Sequence, residues 1–284
     1  MAESIDDYKV AICMTTHDRP DYLDTTLKHL VRSLYGNEKI VISDNNSLAK
    51  EVFKILDFYL KDFPDKHILR HADISVAPSL RMAIDMCDDC DVIISIDSDI
   101  LVKKDYINKM VNAVIDNPNR IITGINATSH PSDGKYKEFL TKKTISGMNI
   151  AFTWKTYLRH IKHTLVDNMW DWKMCDSINK AADRFLCFSP SICQHIGDIS
   201  TIGHSKVDKA ADFVMDEEEP KIKLTRQEFM DAGRDEDFDN TLTVDDCREL
   251  FISSLKGSDD ITISLLNELL NNYGITNIKI NNHE

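Results

Sequence analysis

The sequence predicts an α/β protein with an open, mainly parallel sheet flanked by helices and a small, mostly helical C-terminal appendage. Over residues 1–212, short β-branched apolar runs alternate with amphipathic helical patterns, as in sheets whose parallel strands are joined by helices. The chain has 284 residues, 42% of them hydrophobic, which is enough for one sizeable core. The acidity is uneven, because residues 213–284 hold 7 of the 34 Lys and Arg but 17 of the 47 Asp and Glu.

The first hundred residues predict four strands and three helices. Apolar β-branched runs predict strands at 9–16, 38–46, 67–72 and 91–97. Apolar residues at helical spacing predict helices at 22–36, which ends on a glycine, at 50–63 and at 77–90. In open sheets of this kind, ligands bind at the carboxyl ends of the strands.

The composition changes at residues 215–223, "MDEEEPKIK", where an acidic run meets a proline. We therefore divide the chain into a domain at 1–212 and an acidic appendage at 213–284. Thr225 and Glu228 have the spacing of a capping box, and 243–257 and 258–274 each begin with Thr or Ser plus acids and end on glycine. These segments predict helices, and the alternation at 275–280 predicts a short edge strand.

Composition excludes several classes of protein. No apolar run approaches the roughly 20 residues needed to cross a bilayer, and the acidic first ten residues do not resemble a secretory signal. Seven cysteines without a repeating spacing fit a reducing compartment, so we expect a cytoplasmic protein without a membrane partner, in host cytoplasm if the source is viral. The pair Cys87 and Cys90 has metal-ligand spacing, but without a second pair a structural role is favoured over zinc.

Polar side chains follow several of the predicted strands, which should bring them into one crevice. They are Thr15, Thr16, His17, Asp44, Asn45, Asp97 and Asp99. Asp97 and Asp99 lie two residues apart in an extended segment and therefore share a face. Two carboxylates this close resist ionisation unless a cation or hydrogen-bond donors compensate them. The chain has neither GxGxxG nor GxxxxGK[ST], so side chains must supply the chemistry.

Four segments, in this order, resemble the nucleotide-sugar-binding half of the GT-A glycosyltransferases, closest to family 2. They are "ICMTTHDRPDYLDTTLKHL", "VISDNNS", a helix containing Ser-Leu-Arg, and "IDSDI", and the resemblance spans roughly residues 9–205. It implies that the paired acids face a divalent cation, Mn²⁺ or Mg²⁺, that bridges the diphosphate of the donor. Such an ion would answer the repulsion between the two carboxylates.

The resemblance also assigns roles on the donor side. Thr15, Thr16, His17, Arg19 and Ser98 would line the nucleotide-sugar pocket, Asp44 would bind a uracil ring, Arg81 would supply a cation, Asp97 would reach the ribose or a metal-bound water, and Asp99 would bind the metal. Two of these residues have simpler interpretations from the sequence alone. Asp44 suits a helix cap or an Asx turn, and Arg81 suits a solvated helix surface.

A third metal ligand is expected from "FSPSICQHIGDISTIGH", residues 188–204, which resembles the segment that returns a histidine to the metal. His195 is the candidate that the motif order favours, and an imidazole is acceptable to Mn²⁺ whereas Mg²⁺ prefers oxygen. His204 is a weaker second candidate. A satisfied core histidine is the alternative for His195.

The catalytic base is expected in "DNMWDWKMCDSINKAA", residues 167–182. Asp171, between Trp170 and Trp172, best resembles the family's acid, because flanking aromatics exclude water and raise the pKa of a carboxyl. The family's usual Glu-Asp pair is absent, which leaves Asp176 open as the base and a helix cap open for Asp171. The strand expected at 145–152 makes Gly147 a pocket candidate, since a glycine lets the backbone approach the sugar.

These residues predict a metal-dependent, inverting glycosyltransferase with a UDP-sugar as the expected donor. A retaining outcome stays open, because a sequence does not report stereochemistry. A nucleotidyltransferase is the first alternative from another class, but it usually carries glycines near the first strand that "TTHDRP" lacks. The second is a non-catalytic nucleotide-sugar-binding module.

Charge is the only guide to the acceptor. Residues 135–163 contain seven Lys and Arg against one acid, interleaved with Tyr136, Phe139, Trp154 and Tyr157. Cations and stacking rings suit a nucleic acid, such as the hydroxymethylated cytosine DNA of some bacteriophages. A solvated lysine face is the simpler interpretation, and a glycan or protein acceptor is the alternative.

Overall fold

The structure is a computed structural model that describes residues 7–72, 74–197 and 208–215. The strands and helices expected in the first hundred residues are present. They are β1 (Val10–Thr16), α1 (Pro20–Leu30) followed by a 3₁₀ turn (Val31–Ser33), β2 (Lys39–Asn45), α2 (Lys50–Leu60), β3 (Lys66–His71), α3 (Val76–Asp85) and β4 (Val92–Asp97). The boundaries differ most at two helices. The helix α1 begins earlier, because Pro20 is favoured at a first helical position, and ends six residues before Gly36, whereas α3 ends at Asp85 rather than at residue 90.

The second half contains short strands and irregular helices. They are β5 (Ile100–Val102), α4 (Tyr106–Ile115), β6 (Ile122–Thr123), β7 (Ser132–Tyr136), β8 (Phe139–Lys142), β9 (Asn149–Phe152), α5 (Trp154–Thr156), a π-helical stretch (Tyr157–Ile161), a 3₁₀ turn (Lys162–Thr164), α6 (Trp170–Lys180), β10 (Phe185–Cys187) and β11 (Cys193–His195). The strand expected at 145–152 is confined to its last four residues.

Nine of these strands form one sheet in the order β3-β2-β1-β4-β9-β6-β10-β8-β7. The strands β1 to β4 are parallel, as expected, whereas β9, β8 and β7 run antiparallel to their neighbours. A separate antiparallel pair, β5 with β11, lies next to the acidic turn because β5 begins directly after Asp99. The sheet is therefore parallel at one end and mixed at the other.

The core lies on both faces of this sheet, as the period of two in β1 requires. Val10, Ile12 and Met14 belong to a cluster with the apolar faces of α1, α2 and α4. Ala11 and Cys13 face the opposite cluster, which α3 and α6 cover. The parallel register then aligns the polar ends of the strands, with Thr15 opposite Asp97 and Thr16 opposite Asp44.

Cys87 and Cys90 are buried after the end of α3, and the Sγ atoms of Cys87 and Cys13 lie 3.5 Å apart. This hydrogen bond with Cys13 raises the pKa of the Cys87 thiol, which favours a neutral packing role over thiolate chemistry.

The predicted helices at 243–257 and 258–274 and the strand at 275–280 lie outside the described residues. Among the helices that are described, none is both long and apolar enough to cross a membrane.

The prediction of one continuous basic and aromatic surface over 135–163 is wrong at three positions. Phe139 and Tyr157 are buried in the two core clusters, and Lys142 is 1% exposed. The Lys142 ammonium donates to the carbonyls of Ala127, at 3.1 Å, and His130, at 2.5 Å, so it fastens β8 to the 127–130 loop. Charge alone does not reveal this, because a buried lysine and a solvated one look identical in a sequence.

Replacing Lys142 with Met should lower the free energy of unfolding by about 2 kcal/mol, because two buried carbonyls lose a charged donor. The exposed neighbour Lys143 is the matched control, and Lys143→Met should change stability by less than about 0.5 kcal/mol. Urea denaturation of both variants measures the difference. Equal, small effects would show that the ammonium group of Lys142 is not a structural tie.

Candidate active site

The carboxylate of Asp99 is the point where three parts of the chain meet. Its Oδ2 atom accepts a hydrogen bond from Arg19 Nη1 at 2.7 Å and lies 3.1 Å from His195 Nε2. Burial favours protonation of Asp99, but the hydrogen bond from His195 and the charge of Arg19 outweigh it and hold the pKa of Asp99 below its ordinary value. Asp99 is therefore an ionised, buried carboxylate compensated by two cationic side chains.

Asp97, the last residue of β4, is the opposite case. Burial, followed by the charge of Asp99, raises its pKa from 3.8 to about 7, although His195 and Arg19 act to lower it. The turn between the two acids is fixed by Ser98, which is buried and whose carbonyl accepts a hydrogen bond from Thr26 Oγ1 of α1. One carboxylate is thus ionised and its neighbour titrates near neutral pH, as expected for like charges sharing one site.

His195 approaches from β11, where it pairs with Ile100 across the short β5–β11 ladder. Its Nδ1 lies 3.3 Å from the carbonyl of Asp208. Because Asp99 and the Asp208 carbonyl are both acceptors, the imidazole donates from both nitrogens, which is its cationic form. Burial lowers the pKa of His195, but the hydrogen bond to Asp99 and the two aspartate charges raise it above the ordinary value. The contact with Asp99 excludes the alternative in which His195 is a core histidine without charged partners.

Position 197, next to the side chains of Asp99, His195 and Arg19, requires a glycine. A Cβ atom there would lie 2.4 Å from Asp99 Oδ2 and 2.9 Å from His195 Nε2. The same Cβ atom would lie 3.1 Å from Arg19 Nη2, and the Arg19 guanidinium is 4.4 Å from the centroid of the Tyr22 ring. The backbone thus leaves room at the carboxylate only because the side chain is missing.

Two carboxylates and one imidazole are a donor set that suits Mn²⁺ better than Mg²⁺, and Asp99, His195 and Asp97 could supply it. The Nδ1–H bond from His195 to a carbonyl is the usual way in which a metal-ligating imidazole is oriented. Within the described residues, no three acidic, histidine or cysteine side chains are already arranged around one metal position. Arg19 and His195 both contact Oδ2 of Asp99, so an ion bound at this oxygen would compete with the guanidinium.

The opposite end of the crevice contains buried polar atoms without protein partners. Asp44 Oδ2 accepts from the backbone N–H of Ser47 at 3.1 Å, whereas Asp44 Oδ1 and Thr16 Oγ1 have no hydrogen-bond partner. Burial raises the pKa of Asp44 despite the bonds from Ser47. An unsatisfied buried polar group costs about 1–3 kcal/mol, so a ligand that supplies a donor here would recover this energy. The turn contact expected for Asp44 is present, but it uses only one oxygen.

His17 and Thr15 lie between these two ends. His17 Nδ1 is 2.6 Å from the Asn45 carbonyl, which ties the loop after β1 to the end of β2. Thr15 is buried, in register with Asp97. The structure therefore brings the predicted residues of β1, β2 and β4 to one edge.

Arg81 is buried rather than solvated, so the simpler interpretation of this residue is wrong. Its Nε lies 3.5 Å from Asp85, which also contacts Lys162 at 3.2 Å and the Tyr157 hydroxyl at 2.7 Å. These contacts join α3 to the π-helical stretch. A role for Arg81 in the donor pocket stays a prediction.

The two candidate bases are separated by their position on α6. Asp171, in the first turn, is partly buried, and burial raises its pKa. The charge of Asp171 is also the smallest of the causes of the raised pKa of Asp97. Asp176 is exposed and lies about 140° further round the helix. The Asp171 carboxylate accepts from the N–H of Trp172 at 2.8 Å, and Met169 occupies the cap position.

The buried position of the Trp170 ring explains why residue 147 is a glycine. Trp170 is 7% exposed, and a Cβ on Gly147 would lie 2.2 Å from its ring, so the glycine accommodates the indole. This differs from the expectation that Gly147 lets the backbone approach a sugar. Trp172, in contrast, is 49% exposed beside Asp171 and provides a ring surface to solvent.

Sequence reasoning missed His130 and Asp208. The Asp208 carboxylate lies 3.3 Å from His130 Nε2 and accepts a hydrogen bond from Ser129, while the Asp208 carbonyl binds His195. The His130 ring lies 6.1 Å from that of Trp172, and its charge lowers the pKa of Asp171. Asp208 thus links the His195 side of the site to the Asp171 side. No motif signals this, because His130 and Asp208 are 78 residues apart in the sequence.

Comparisons with known proteins agree with this arrangement. The sequence profile of the family described as glycosyl transferase family 2 matches residues 11–181. A crystal structure of GalNAc-T7 with UDP, GalNAc and Mn²⁺ is similar, with a TM-score of 0.53 at 12% identity over 67% of this chain. That likeness shows a GT-A fold, and the chain covers 44% of the length of GalNAc-T7. No curated protein sequence matches this chain.

The raised pKa of Asp97 predicts a pH dependence of stability in the absence of metal. A folded-state pKa of about 7, against an ordinary value of 3.8, means that the folded protein binds this proton more tightly than the unfolded chain. The stabilisation that comes from protonated Asp97 is fully present below the unfolded-state pKa of 3.8, and it is lost as pH rises through the folded-state pKa of about 7. Asp97→Asn lacks this titrating group. As pH rises from 3.8 to about 7, the free energy of unfolding of wild type should therefore fall relative to that of Asp97→Asn.

Urea denaturation in EDTA across this pH range measures the effect, with Asp176→Asn as the control on the exposed face of α6. The difference between wild type and Asp97→Asn should grow with pH, whereas the control should follow wild type. A pH-independent difference would contradict the assignment of Asp97 as a carboxyl that titrates near neutral pH.

Proposed function

This chain belongs to glycosyl transferase family 2, and from that membership we propose that it transfers a sugar from a nucleotide-sugar donor to an acceptor hydroxyl. A UDP-sugar is the proposed donor. The proposal is supported by the convergence of Asp99, His195 and Arg19 beside a second carboxylate, Asp97. Asp171, whose charge adds to the raised pKa of Asp97, is the proposed base.

Asp99 and His195, with Asp97 as a third ligand, would hold Mn²⁺ or Mg²⁺. When bound, the metal neutralises charge on the departing nucleoside diphosphate. Arg19, whose guanidinium contacts Asp99, would support the same charge. Asp44 would accept the ring N–H of uracil through the Oδ1 atom that has no protein partner. These residues bind and orient the donor.

Asp171 would take the proton of the acceptor hydroxyl. Its raised pKa brings the carboxylate nearer to the range of a useful base. The charge of His130 acts to lower the pKa of Asp171, and the charge of Asp208 acts to raise it. Attack from this side, opposite the diphosphate, gives a single in-line displacement with inversion. The transition state should be oxocarbenium-like, as in other glycosyl chemistry.

Two alternative functions are less well supported. A nucleotidyltransferase would not need a base at Asp171, and its activity on a sugar 1-phosphate with a nucleoside triphosphate separates it from a glycosyltransferase. A non-catalytic binding module would be expected to lose the acids of the site, but Asp97, Asp99 and Asp171 are all present.

Two substitutions should give different defects. Asp99→Asn should abolish metal-dependent donor binding, because Asp99 is the carboxylate that both Arg19 and His195 contact. Asp171→Asn should leave donor binding unchanged but slow transfer by roughly 10² to 10⁴-fold. Calorimetric titration of UDP with Mn²⁺ measures the first effect, and donor turnover measures the second.

Asp176→Asn is the matched control, with the same chemical change on the same helix at an exposed position. It should retain near-normal turnover. If this variant loses turnover while Asp171→Asn keeps it, the base is Asp176 and the assignment of Asp171 is wrong.

The proposed acceptor is hydroxymethylated cytosine in phage-type DNA, with a glycan or protein acceptor as the alternative. The supporting surface is narrower than the sequence suggested and consists of the exposed strand β7 and the turn that follows it. It contains Lys135, Tyr136 and Lys137, with Lys137 5.5 Å and Arg120 5.7 Å from the Tyr136 ring. A basic aromatic tip of this kind suits phosphates and an exposed base, and an enzyme acting on a base in a duplex must also extrude it.

Transfer of radiolabelled sugar to hydroxymethylated DNA, against ordinary DNA, tests this acceptor across a salt series. Activity on a DNA acceptor should fall steeply with salt, and charge reversal of Lys135 and Lys137 should flatten the slope. Charge reversal of Lys155 and Lys180, both exposed, is the control that should leave the slope unchanged. Labelling of a neutral glycan or a protein, with little salt dependence, would eliminate DNA and leave glycosyl transfer standing.

A further inference from the structure

The strap, residues 208–215, is attached to both segments that carry a histidine of the site. Ala210 forms an antiparallel bridge with Ala127, which lies three residues before His130. The backbone N–H of Ala210 also donates to Gln194 Oε1 at 2.7 Å, and Gln194 lies in β11 next to the second histidine. The strap therefore joins the metal-binding side of the site to the loop before β7.

Asp208, the first described residue of the strap, contacts both histidines directly. Its backbone carbonyl lies 3.3 Å from His195 Nδ1. Its carboxylate lies 3.3 Å from His130 Nε2 and accepts a hydrogen bond from the Ser129 hydroxyl. One residue thus supplies an acceptor to a ring nitrogen of each imidazole, with its main chain for one and its side chain for the other.

The direction of each ring depends on these contacts. The two nitrogens of an imidazole lie on different sides of the ring, so an acceptor held at one nitrogen determines where the other points. With Nδ1 at the Asp208 carbonyl, His195 presents Nε2 to Asp99 at 3.1 Å. His130 is also held at both nitrogens, because its Nδ1 lies 3.0 Å from Thr144 Oγ1.

The strap has a second anchor that does not involve the histidines. The Asp212 carboxylate accepts hydrogen bonds from the Ser189 hydroxyl at 2.8 Å, the Ser191 backbone N–H at 3.0 Å and Asn126 Nδ2 at 3.0 Å. These three partners are not among the residues of the candidate active site. Attachment of the strap and orientation of the rings are therefore carried by two different aspartates, four residues apart.

We propose that Asp208 is a positioning residue of the active site, which orients His195 through its carbonyl and His130 through its carboxylate. The orientation of the rings stands on these contacts, whereas its effect on metal binding rests on the proposed function. Asp208→Ala removes the side chain that fastens residue 208 to Ser129 and His130, so the carbonyl at His195 loses its support as well. Loss of a partner that orients a ligating imidazole typically weakens metal binding by about 10- to 100-fold.

The first test uses metal-free, full-length protein in EDTA with ¹⁵N-labelled histidine. Nuclear magnetic resonance reports the ring-nitrogen signals of His195 and His130, which His195→Gln and His130→Gln assign. Asp208→Ala should shift the signals of both rings. Asp212→Ala is the matched control, because it removes the same group from the same strap; it should lower stability to urea but leave both rings unchanged. Unchanged rings in Asp208→Ala, or equal shifts in the two variants, would overturn the proposal.

Asp208→Asn keeps the side-chain volume but removes the charge, so it replaces Asp208→Ala if the alanine variant does not fold. It should still shift the His130 signals, and unchanged signals would overturn the role of the carboxylate.

The second test is calorimetric titration of Mn²⁺ in the presence of UDP. Asp208→Ala should bind Mn²⁺ about 10- to 100-fold more weakly than wild type, whereas Asp212→Ala should keep the wild-type affinity. Equal affinities of wild type and Asp208→Ala would overturn the positioning of His195 for a metal. Failure of wild type to bind Mn²⁺ would contradict the proposed function instead, and the ring signals of the metal-free protein then decide the positioning role by themselves.

Discussion

The repulsion between Asp97 and Asp99 is the constraint on which the rest of the site depends. The chain places two carboxylates two residues apart at the buried end of β4, and neither can be ionised cheaply without a nearby positive charge. Arg19 and His195 supply that charge in the metal-free protein, and they do so unequally, because both contact Asp99. Asp97 remains the carboxyl that titrates near neutral pH. The surrounding segments supply these groups: Arg19 directly precedes α1, β11 presents His195 beside β5, and Gly197 keeps the space open.

The same contacts connect the two halves of the molecule. The donor edge is built by the parallel strands β1, β2 and β4, whereas Asp171 comes from α6 and His130 from the loop before the β7–β8 hairpin. Asp208 bridges them, with its carbonyl on His195 and its carboxylate on His130, and Lys142 fixes the carbonyl of His130 from below. A short series of hydrogen bonds through Asp208 therefore connects His195 with His130.

Much of the donor half could be predicted from the sequence, because strand periodicity and the rule for carboxyl ends of parallel strands depend on local pattern. Thr15, Asp44 and Asp97 were predicted to meet, and the register brings them to one edge. The acceptor half could not be predicted in the same way. Its strands are two to five residues long, several of its pairs join strands that are distant in sequence, and charge does not distinguish the buried Lys142 from the exposed Lys143. His130 and Asp208 carry no motif, and the reason for Gly147 becomes visible only when Trp170 packs against it.

We expect a metal ion to replace protons and Arg19 as the charge that compensates Asp97 and Asp99. The most direct measurement is proton release on binding of Mn²⁺ with UDP, obtained by calorimetry in buffers of different ionisation enthalpy. At about pH 6 wild type should release one to two protons, from Asp97 and His195, and at about pH 8.5 clearly fewer, while Asp97→Asn should release about one fewer at the lower pH. Binding of Mn²⁺ and UDP without proton release at the lower pH, or the same release from Asp97→Asn as from wild type, would contradict the account.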